Sequence, residues 1–193
     1  MAKINKEIID IYDDYRSNLD CEKHVEKDFR ISEHKKNHPE SFFGSIDVNC
    51  DVEFGNTSLS CEIRNGEDYN YSITYLSDRL GTKVMSRLDV GNGTHRNVAP
   101  DIPLALSSVP TPHYHEYRED GRMLAYPLEG IDYSSKESVE FGLEEGYAYL
   151  CGKLHITSVN GTDPMIAFSE DGAFTWLDEE TDPNENVVFP LTD

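Results

Sequence analysis

The fold of this chain is decided by residues 58–76, SLSCEIRNGEDYNYSITYL. Two runs with strand character lie on either side of Asn65-Gly66. Type I′ turns need positive φ at both central residues, and Asn-Gly meets that need most readily. The stretch therefore predicts two antiparallel strands, Ser58–Ile63 and Tyr69–Leu76, joined as a hairpin.

Similar runs lie on both sides of this hairpin. They are rich in Val, Ile, Tyr, Phe and Ser, and Gly or Asn-Gly breaks separate several of them. Together they predict a meandering antiparallel sheet followed by a β-rich tail. The sheet segments are Phe42–Cys50, Val52–Phe54, Val84–Val90, His113–Arg118 and Arg122–Pro127, and the tail segments are Met165–Phe168, Phe174–Leu177 and Val187–Phe189.

Two helices are predicted outside these strands. Apolar residues recur every three or four positions from Ile4 to Leu19, which favours a helix reaching about Phe29, and Pro39 ends the helical region. Ser134 or Ser135 can cap a second helix that runs to about Leu150 and covers one sheet face. The fold class is α+β, with an N-terminal helical arm (1–38), an antiparallel core sheet with one covering helix (39–156) and an acidic β-rich extension (157–193).

Composition restricts the class of protein. The 193 residues are 37% apolar and 28% charged, which is typical of a globular chain. No apolar run approaches the roughly 20 residues of a membrane helix, and the first residues lack the apolar segment of a signal peptide. We therefore expect no membrane association and a location in the cytoplasm of a host cell.

The formal net charge of −20 bears on the partners. Indiscriminate binding to a phosphate backbone needs an excess of cations, which this chain lacks. An acidic surface suits a basic protein partner, because opposite charges steer the encounter. We expect the acidic tail to contact that partner, and a homodimer is a further alternative. The candidate partner-binding residues are Asp178, Glu179 and Glu180.

Residues 112–118, PHYHEYR, carry the clearest chemical pattern. Side chains alternate along a strand, so His113, His115 and Tyr117 share one face, with the two imidazoles about 7 Å apart. A third histidine, His95, follows the Gly-rich turn Gly91-Asn92-Gly93. Three imidazoles that converge in this way form either an acid–base pair or a metal site.

One hypothesis from these residues is RNA cleavage without a metal. One histidine takes the proton of the ribose 2′-hydroxyl and another protonates the leaving oxygen, since the usual pKa of histidine lies near neutral pH. A cation holds the phosphate, and Tyr117 donates to a phosphate oxygen. The candidate catalytic residues are His95, Arg96, His113, His115 and Tyr117, and the candidate phosphate-binding residues are Arg87 and Arg118.

Two other interpretations stay open. His-x-His on a strand, with a distant third histidine, is similar to three-histidine zinc centres and cupin-type sites. Zinc or manganese then binds His95, His113 and His115, with Asp89 or Glu116 completing the site, although Glu116 is expected to face away from the histidines. The other interpretation is a half-buried sheet face on which these side chains only pack and form hydrogen bonds.

Four sequence pieces, spread over Met85 to Leu128, resemble a family of small, uncharacterised bacterial and prophage proteins. That family has an Arg-x-Asp strand, a His-x-Asn turn, a His-x-His-x-Tyr strand and an Ala-x-Pro strand, in this order. The resemblance implies an association with mobile elements and a setting of conflict between host and phage. The pieces in this chain are Arg87-Leu88-Asp89, His95-Arg96-Asn97, His113–Glu119 and Ala125–Leu128.

Together these observations favour an inhibitor of a nucleic-acid-handling defence enzyme. In its concrete form it is an anti-CRISPR protein that contacts an RNA-guided nuclease, needs no cofactor and cuts the guide RNA with its histidines. The first alternative is a stand-alone enzyme, metal-dependent or RNA-cleaving, such as the toxin of a toxin–antitoxin pair. The second is an interaction module without catalysis.

Overall fold

A computed structural model of the chain describes residues 4–35, 38–67, 69–91, 93–99, 101–133 and 141–169. These residues form an α+β fold built mostly of strands. The helices are α1 (Lys6–Asp10), α2 (Tyr12–Asp20) and α3 (Leu143–Lys153), with a 3₁₀ turn at Leu104–Leu106. The strands are β1 (Lys23–Val25), β2 (Phe29–Ile31), β3 (Glu33–Lys35), β4 (His38–Cys50), β5 (Thr57–Ile63), β6 (Tyr71–Ser77), β7 (Val84–Val90), β8 (His95–Arg96), β9 (Ser108–Val109), β10 (His113–Tyr117), β11 (Met123–Pro127), β12 (Ile156–Ser158) and β13 (Ile166–Phe168).

Nine of the strands form one sheet in the order β11-β10-β7-β6-β5-β4-β1-β12, with β3 also paired to β4. Every pair in it is antiparallel except β1 and β12, which run parallel. Two short pairs, β2 with β13 and β8 with β9, lie outside it. The predicted meander is therefore present from β4 to β7, and β10 and β11 extend it.

The predicted hairpin turn lies between β5 and β6. Asn65 has φ of 57° and Gly66 has φ of 68°, as a type I′ turn requires. The amide of Glu67 donates to the Arg64 carbonyl at 3.1 Å and closes the turn. The strands pair from Ile63 and Tyr71 outward, so the connection is longer than the two residues of the shortest hairpins.

Helices α2 and α3 cover one face of the sheet. Tyr71 and Tyr75 of β6 are fully buried on that face. The Tyr75 hydroxyl donates to Asn18 Oδ1 of α2 at 3.0 Å, and the Tyr71 hydroxyl donates to the carbonyl of Gly142, just before α3, at 2.8 Å. A Cβ at Gly146 would overlap the Tyr71 ring, so α3 approaches the sheet this closely because position 146 is glycine.

A buried lysine joins the ends of both helices. Lys23 is 2% exposed, and its Nζ donates to the carbonyls of Leu19, Cys21 and Leu154 at 3.0, 2.9 and 2.8 Å. These carbonyls lie at the C-terminal ends of α2 and α3, where the helix dipole favours a cation. The ammonium group therefore holds β1 between the two helix ends.

The N-terminal part of the chain differs from its prediction. The helix predicted to reach Phe29 ends at Asp20, Ile11 divides it in two, and the rest of the predicted arm contains β1, β2 and β3. Pro39 lies within β4, ahead of Phe42, where pairing with β5 begins. Proline is tolerated there because that part of the strand lacks β5 as a neighbour. Val52–Phe54 is not a strand, because it forms the connection between β4 and β5.

The predictions for the second helix, the C-terminal segments and membrane association can be compared with the described residues in part. The second helix is present, but it begins at Leu143 with Gly142 as its N-cap, later than the predicted serine caps, and it ends at Lys153. Ser134, Ser135 and the segments Phe174–Leu177 and Val187–Phe189 lie outside the described residues. Within the part of the chain that the structure describes, no helix is long and apolar enough to cross a membrane.

Candidate metal centre

The sheet face opposite the helices carries a group of ionisable side chains from β7 and β10. His113 is directly opposite Asp89, and His115 is directly opposite Arg87. Residues directly opposite each other on neighbouring strands point to the same face. The alternation expected from the sequence is therefore present, and Glu116 lies on the helix face, 3.4 Å from Arg16 of α2.

The third histidine reaches this face through β8, which pairs with β9. The Asn97 side chain ties this segment to β11. Its Nδ2 donates to the carbonyls of Leu106 and Ala125 at 2.8 Å each, and its Oδ1 accepts from the Ala125 amide at 2.9 Å. Ala125 is directly opposite His115. Asn97 thus places His95 above the strand that carries the other two imidazoles.

The three imidazoles converge. The ring centroids lie 5.5 Å apart for His95 and His113, 4.7 Å for His95 and His115, and 4.9 Å for His113 and His115. One ring nitrogen from each residue lies within 4.8 Å of the others. His113 and His115 are 5% and 2% exposed, while His95 is half-buried. The cluster is therefore open to solvent on the His95 side.

A carboxylate and a guanidinium group complete the cluster. Asp89 Oδ2 lies 3.0 Å from His115 Nε2, 3.8 Å from His113 Nε2 and 2.7 Å from Arg87 Nη2. Arg87 Nη2 is also 3.5 Å from His115 Nε2. Asp89, which the sequence named as a possible ligand of a metal site, thus contacts both buried histidines.

The hydrogen bonds define which nitrogens are free. His113 Nδ1 lies 3.2 Å from the Pro110 carbonyl, which can only accept, so Nδ1 carries the proton and Nε2 keeps a lone pair. His115 Nε2 donates to Asp89 by the same argument, which leaves the lone pair on Nδ1. Each buried imidazole therefore has one nitrogen held by a neighbour and one available as a ligand, as in the outer sphere of many metal sites.

Burial lowers the pKa of two of the three histidines, His95 and His113. Burial lowers the pKa of His113 to about 4, and the charge on His115 acts in the same direction. Burial and the same neighbour lower the pKa of His95. For Asp89, burial raises the pKa, but the hydrogen bond from His115 and the charge of Arg87 outweigh it, so the pKa falls. At neutral pH the site therefore holds His95 and His113 as neutral imidazoles near an ionised Asp89.

This arrangement suits a transition metal. Zinc binds imidazole nitrogen at about 2.0–2.1 Å, which in tetrahedral geometry places two ligand nitrogens about 3.3 Å apart. The nitrogens here are up to 4.8 Å apart, so small side-chain rotations close the site. His113 Nε2, which keeps its lone pair, lies 3.8 Å from Asp89 Oδ2.

Other candidate residues lie elsewhere. The Tyr117 hydroxyl is 3.5 Å from Asn5 Nδ2 and from Thr82 Oγ1, beside the N-terminal helix. Arg118 pairs with Asp101 at 2.7 Å and Asp120 at 3.4 Å. Arg96 is exposed, next to His95. Asp178, Glu179 and Glu180 lie outside the described residues.

The structure thus brings together His95, His113, His115, Arg87 and Asp89, all of which the sequence analysis had named. The role of Asn97 was missed, because its amide interacts with residues 9 and 28 positions away. The only feature of the sequence that pointed to this role was the position of Asn97 in the piece His95-Arg96-Asn97. No family model, curated protein or solved structure matches this chain.

Proposed function

We propose that the protein is a metal-dependent hydrolase whose zinc ion is bound by His95, His113 and His115. The observation that carries this proposal is the convergence of the three imidazoles, with one nitrogen from each within 4.8 Å of the others. Residues 18 and 20 positions apart reach one point only through the pairing of β10 with β7 and the anchoring of β8. Neutral imidazole is a preferred zinc ligand.

The lowered pKa values of His95 and His113 favour metal binding over a role for these two rings as general acids. The acid–base mechanism needs one protonated histidine near neutral pH. With its pKa lowered to about 4, His113 is protonated in only about one molecule in a thousand at pH 7. His95 has a lowered pKa as well, so it is also a poor source of a proton. Both rings are suited to accept a metal ion instead.

The site supports catalysis as well as binding. Three protein ligands leave one position of a tetrahedral zinc ion for water, and zinc lowers the pKa of such a water to about 7. The half-buried His95 side gives solvent access. Asp89 is held by Arg87 at 2.7 Å and by His115 at 3.0 Å, which keeps it in the role of orienting His115. Manganese is the second choice, since it prefers oxygen ligands.

The test begins with metal content. Protein loaded with zinc and passed through a desalting column is expected to retain one zinc per chain, measured by mass spectrometry of the metal. His113→Ala is expected to lose it, and His24→Ala, which removes a half-buried histidine on β1, is expected to keep it. Equal zinc in both variants, or none in the parent protein, would contradict the proposal.

Activity is tested on the same preparations. Hydrolysis of a panel of ester and phosphate ester substrates is expected to stop when a chelator removes the zinc and to return when zinc is added. Activity that survives complete removal of the metal would contradict metal dependence. RNA cleavage that persists in the chelator would instead support the acid–base hypothesis.

The net charge of −20 supports a second candidate function. We propose that the acidic surface binds a basic nucleic-acid-handling protein of the host, as an anti-CRISPR protein would. Guide RNA, free and bound to its nuclease, is mixed with the protein, and complex formation and RNA length are measured. Neutralising Asp178, Glu179 and Glu180 together is expected to weaken the complex, whereas unchanged affinity would contradict this candidate.

A further inference from the structure

Arg87 has a position that the metal centre alone does not explain. It lies directly opposite both Thr74 and His115, on the same face as the imidazoles. Its Nη2 contacts Asp89 at 2.7 Å and His115 at 3.5 Å. Its Nε is buried without a hydrogen-bond partner among the described residues, and the side chain is 37% exposed. Most of its donors are therefore unused.

A guanidinium group has five N–H donors in one plane, which match two oxygens of a phosphate or carboxylate. At Arg87 only Nη2 makes a contact within the described part of the chain. An anion bound to the remaining donors would lie beside the three imidazoles. It would then face the guanidinium on one side and the metal ion on the other.

The sheet face next to Arg87 carries a row of hydroxyl groups, of which Ser45 already donates to the Leu59 carbonyl. Ser45, Ser60 and Thr74 are directly opposite one another on β4, β5 and β6, and this row leads to Arg87. In the neighbouring row Ser72 is directly opposite Asp89. Arg64 Nη2 donates to Ser72 Oγ at 3.3 Å, so a second guanidinium lies on the same face.

The charge of the protein limits the size of the anion that this face can bind. Binding a long polyanion requires many cations along its path, and its affinity falls when the rest of the protein repels it. The described residues of this face include Arg87 and Arg64 beside the carboxylates of Asp89 and Glu62, in a protein of net charge −20. A single phosphate group would find Arg87 and the metal ion there, but a long nucleic acid would not be neutralised.

We infer that the proposed metal centre acts on small phosphate esters, with Arg87 binding the phosphate oxygens beside the metal ion. This inference rests on the proposed function of the His95, His113 and His115 cluster. In the reaction, water forms a new bond from its oxygen to phosphorus. The bond from phosphorus to the ester oxygen breaks, and the alcohol leaves with one of the two protons of the water.

The test uses phenyl phosphate and benzoate, which share the ring and differ in the anion. Binding to the zinc-loaded protein is measured by calorimetry. We expect one phenyl phosphate per chain and at least tenfold weaker binding of benzoate. With each preparation brought to one zinc per chain beforehand, Arg87→Gln is expected to weaken phenyl phosphate binding at least tenfold.

Arg16→Gln is the matched control. Arg16 is 36% exposed and paired to a carboxylate, like Arg87, but it lies at the helix face. We expect this variant to bind phenyl phosphate like the parent protein. Arg87→Lys, which keeps the charge but not the planar group, gives a second variant if circular dichroism shows that Arg87→Gln is unfolded, and an at least threefold loss is expected.

Several results would overturn the inference. The first is phenyl phosphate binding that is unchanged in both folded Arg87 variants. The second is benzoate that binds as tightly as phenyl phosphate, and the third is a ten-nucleotide RNA that binds more tightly than phenyl phosphate. A protein that binds no zinc would overturn the proposed function and this inference together. A protein that binds zinc, but whose phenyl phosphate binding does not depend on Arg87, would overturn this inference alone.

Discussion

Asp89 Oδ2 lies 3.0 Å from His115 Nε2, so a carboxylate on β7 fixes the ring orientation of a histidine that is 2% exposed on β10. The hydrogen bond leaves the lone pair of His115 on Nδ1. Outer-sphere carboxylates of this kind typically contribute 10–100-fold to metal affinity. The pair therefore links the strand register to the chemistry of the cluster.

Replacing this carboxylate is the first test of that link. Asp89→Asn keeps the shape of the side chain but removes its charge, so we expect zinc affinity to fall by about 10–100-fold. Affinity is measured by competition with a coloured chelator. Asp47→Asn, an exposed change on β4, is the control and is expected to have no effect. Equal affinities for the two variants would contradict the role of Asp89.

Asn97 is expected to matter for zinc more than for the fold. Asn97→Ala removes two hydrogen bonds that hold β8 against β11 and a third to the Leu106 carbonyl, and with them the position of His95. We expect zinc affinity to fall at least tenfold while the circular dichroism spectrum stays native. Each lost bond that leaves a buried group unpaired costs about 1–3 kcal/mol. A variant that binds zinc as tightly as the parent would show that His95 is not a ligand.

Stability in the absence of metal is expected to depend on pH through His113. Its pKa of about 4 in the folded protein lies below the usual 6.5, so between these values the unfolded chain binds more protons. Stability is therefore complete above about pH 6.5 and falls as the pH decreases toward 4, by up to about 3 kcal/mol from this group. Urea unfolding with a chelator present, at pH 7 and pH 4.5, measures the change.

The matched variant is His113→Gln, which cannot gain a proton. We expect its loss of stability between pH 7 and pH 4.5 to be smaller than that of the parent protein. The lowered pKa values of His95 and Asp89 act in the same direction, so some dependence on pH remains. A parent and variant with the same pH dependence would show that His113 has an ordinary pKa.

Lys23 is expected to be a major contributor to stability. Lys23→Met fills similar space but leaves three carbonyls at the ends of α2 and α3 without their donor. We expect the free energy of unfolding to fall by about 2–4 kcal/mol, measured by urea denaturation. Lys27→Met, at an exposed position, is the control and should change it by less than about 0.5 kcal/mol. Equal stabilities of Lys23→Met and the parent protein would show that the hydrogen bonds of Lys23 to the two helix ends do not stabilise the fold.

Local patterns were sufficient for the meander from β4 to β7, for β10 and β11, and for part of the site. The hairpin at Asn65-Gly66 follows from the φ values that the turn requires, and the shared face of His113 and His115 follows from strand alternation. The same alternation misleads at Tyr117, four residues beyond His113 and about 13 Å along the strand. Its hydroxyl ends beside Asn5, outside the cluster.

The remaining features depend on contacts between distant residues. The apolar spacing that predicts a helix ends at Leu19, and the strands that follow are set by pairing of β1 with β12 and of β2 with β13. Gly146 weakens the prediction of α3, yet the close approach to Tyr71 requires it. His95 joins the cluster only because Asn97 binds Ala125. Sequence spacing carries no information about such long-range contacts.

X-ray absorption spectroscopy of the zinc-loaded protein tests the central claim most directly. We expect a first shell of three imidazole nitrogens and one oxygen at about 2.0–2.1 Å, with loss of one nitrogen in His95→Ala. The chain also has four free cysteines, and zinc–sulfur distances of about 2.3 Å are easily distinguished. A shell that contains sulfur, or one unchanged in His95→Ala, would show that the three histidines are not the metal site.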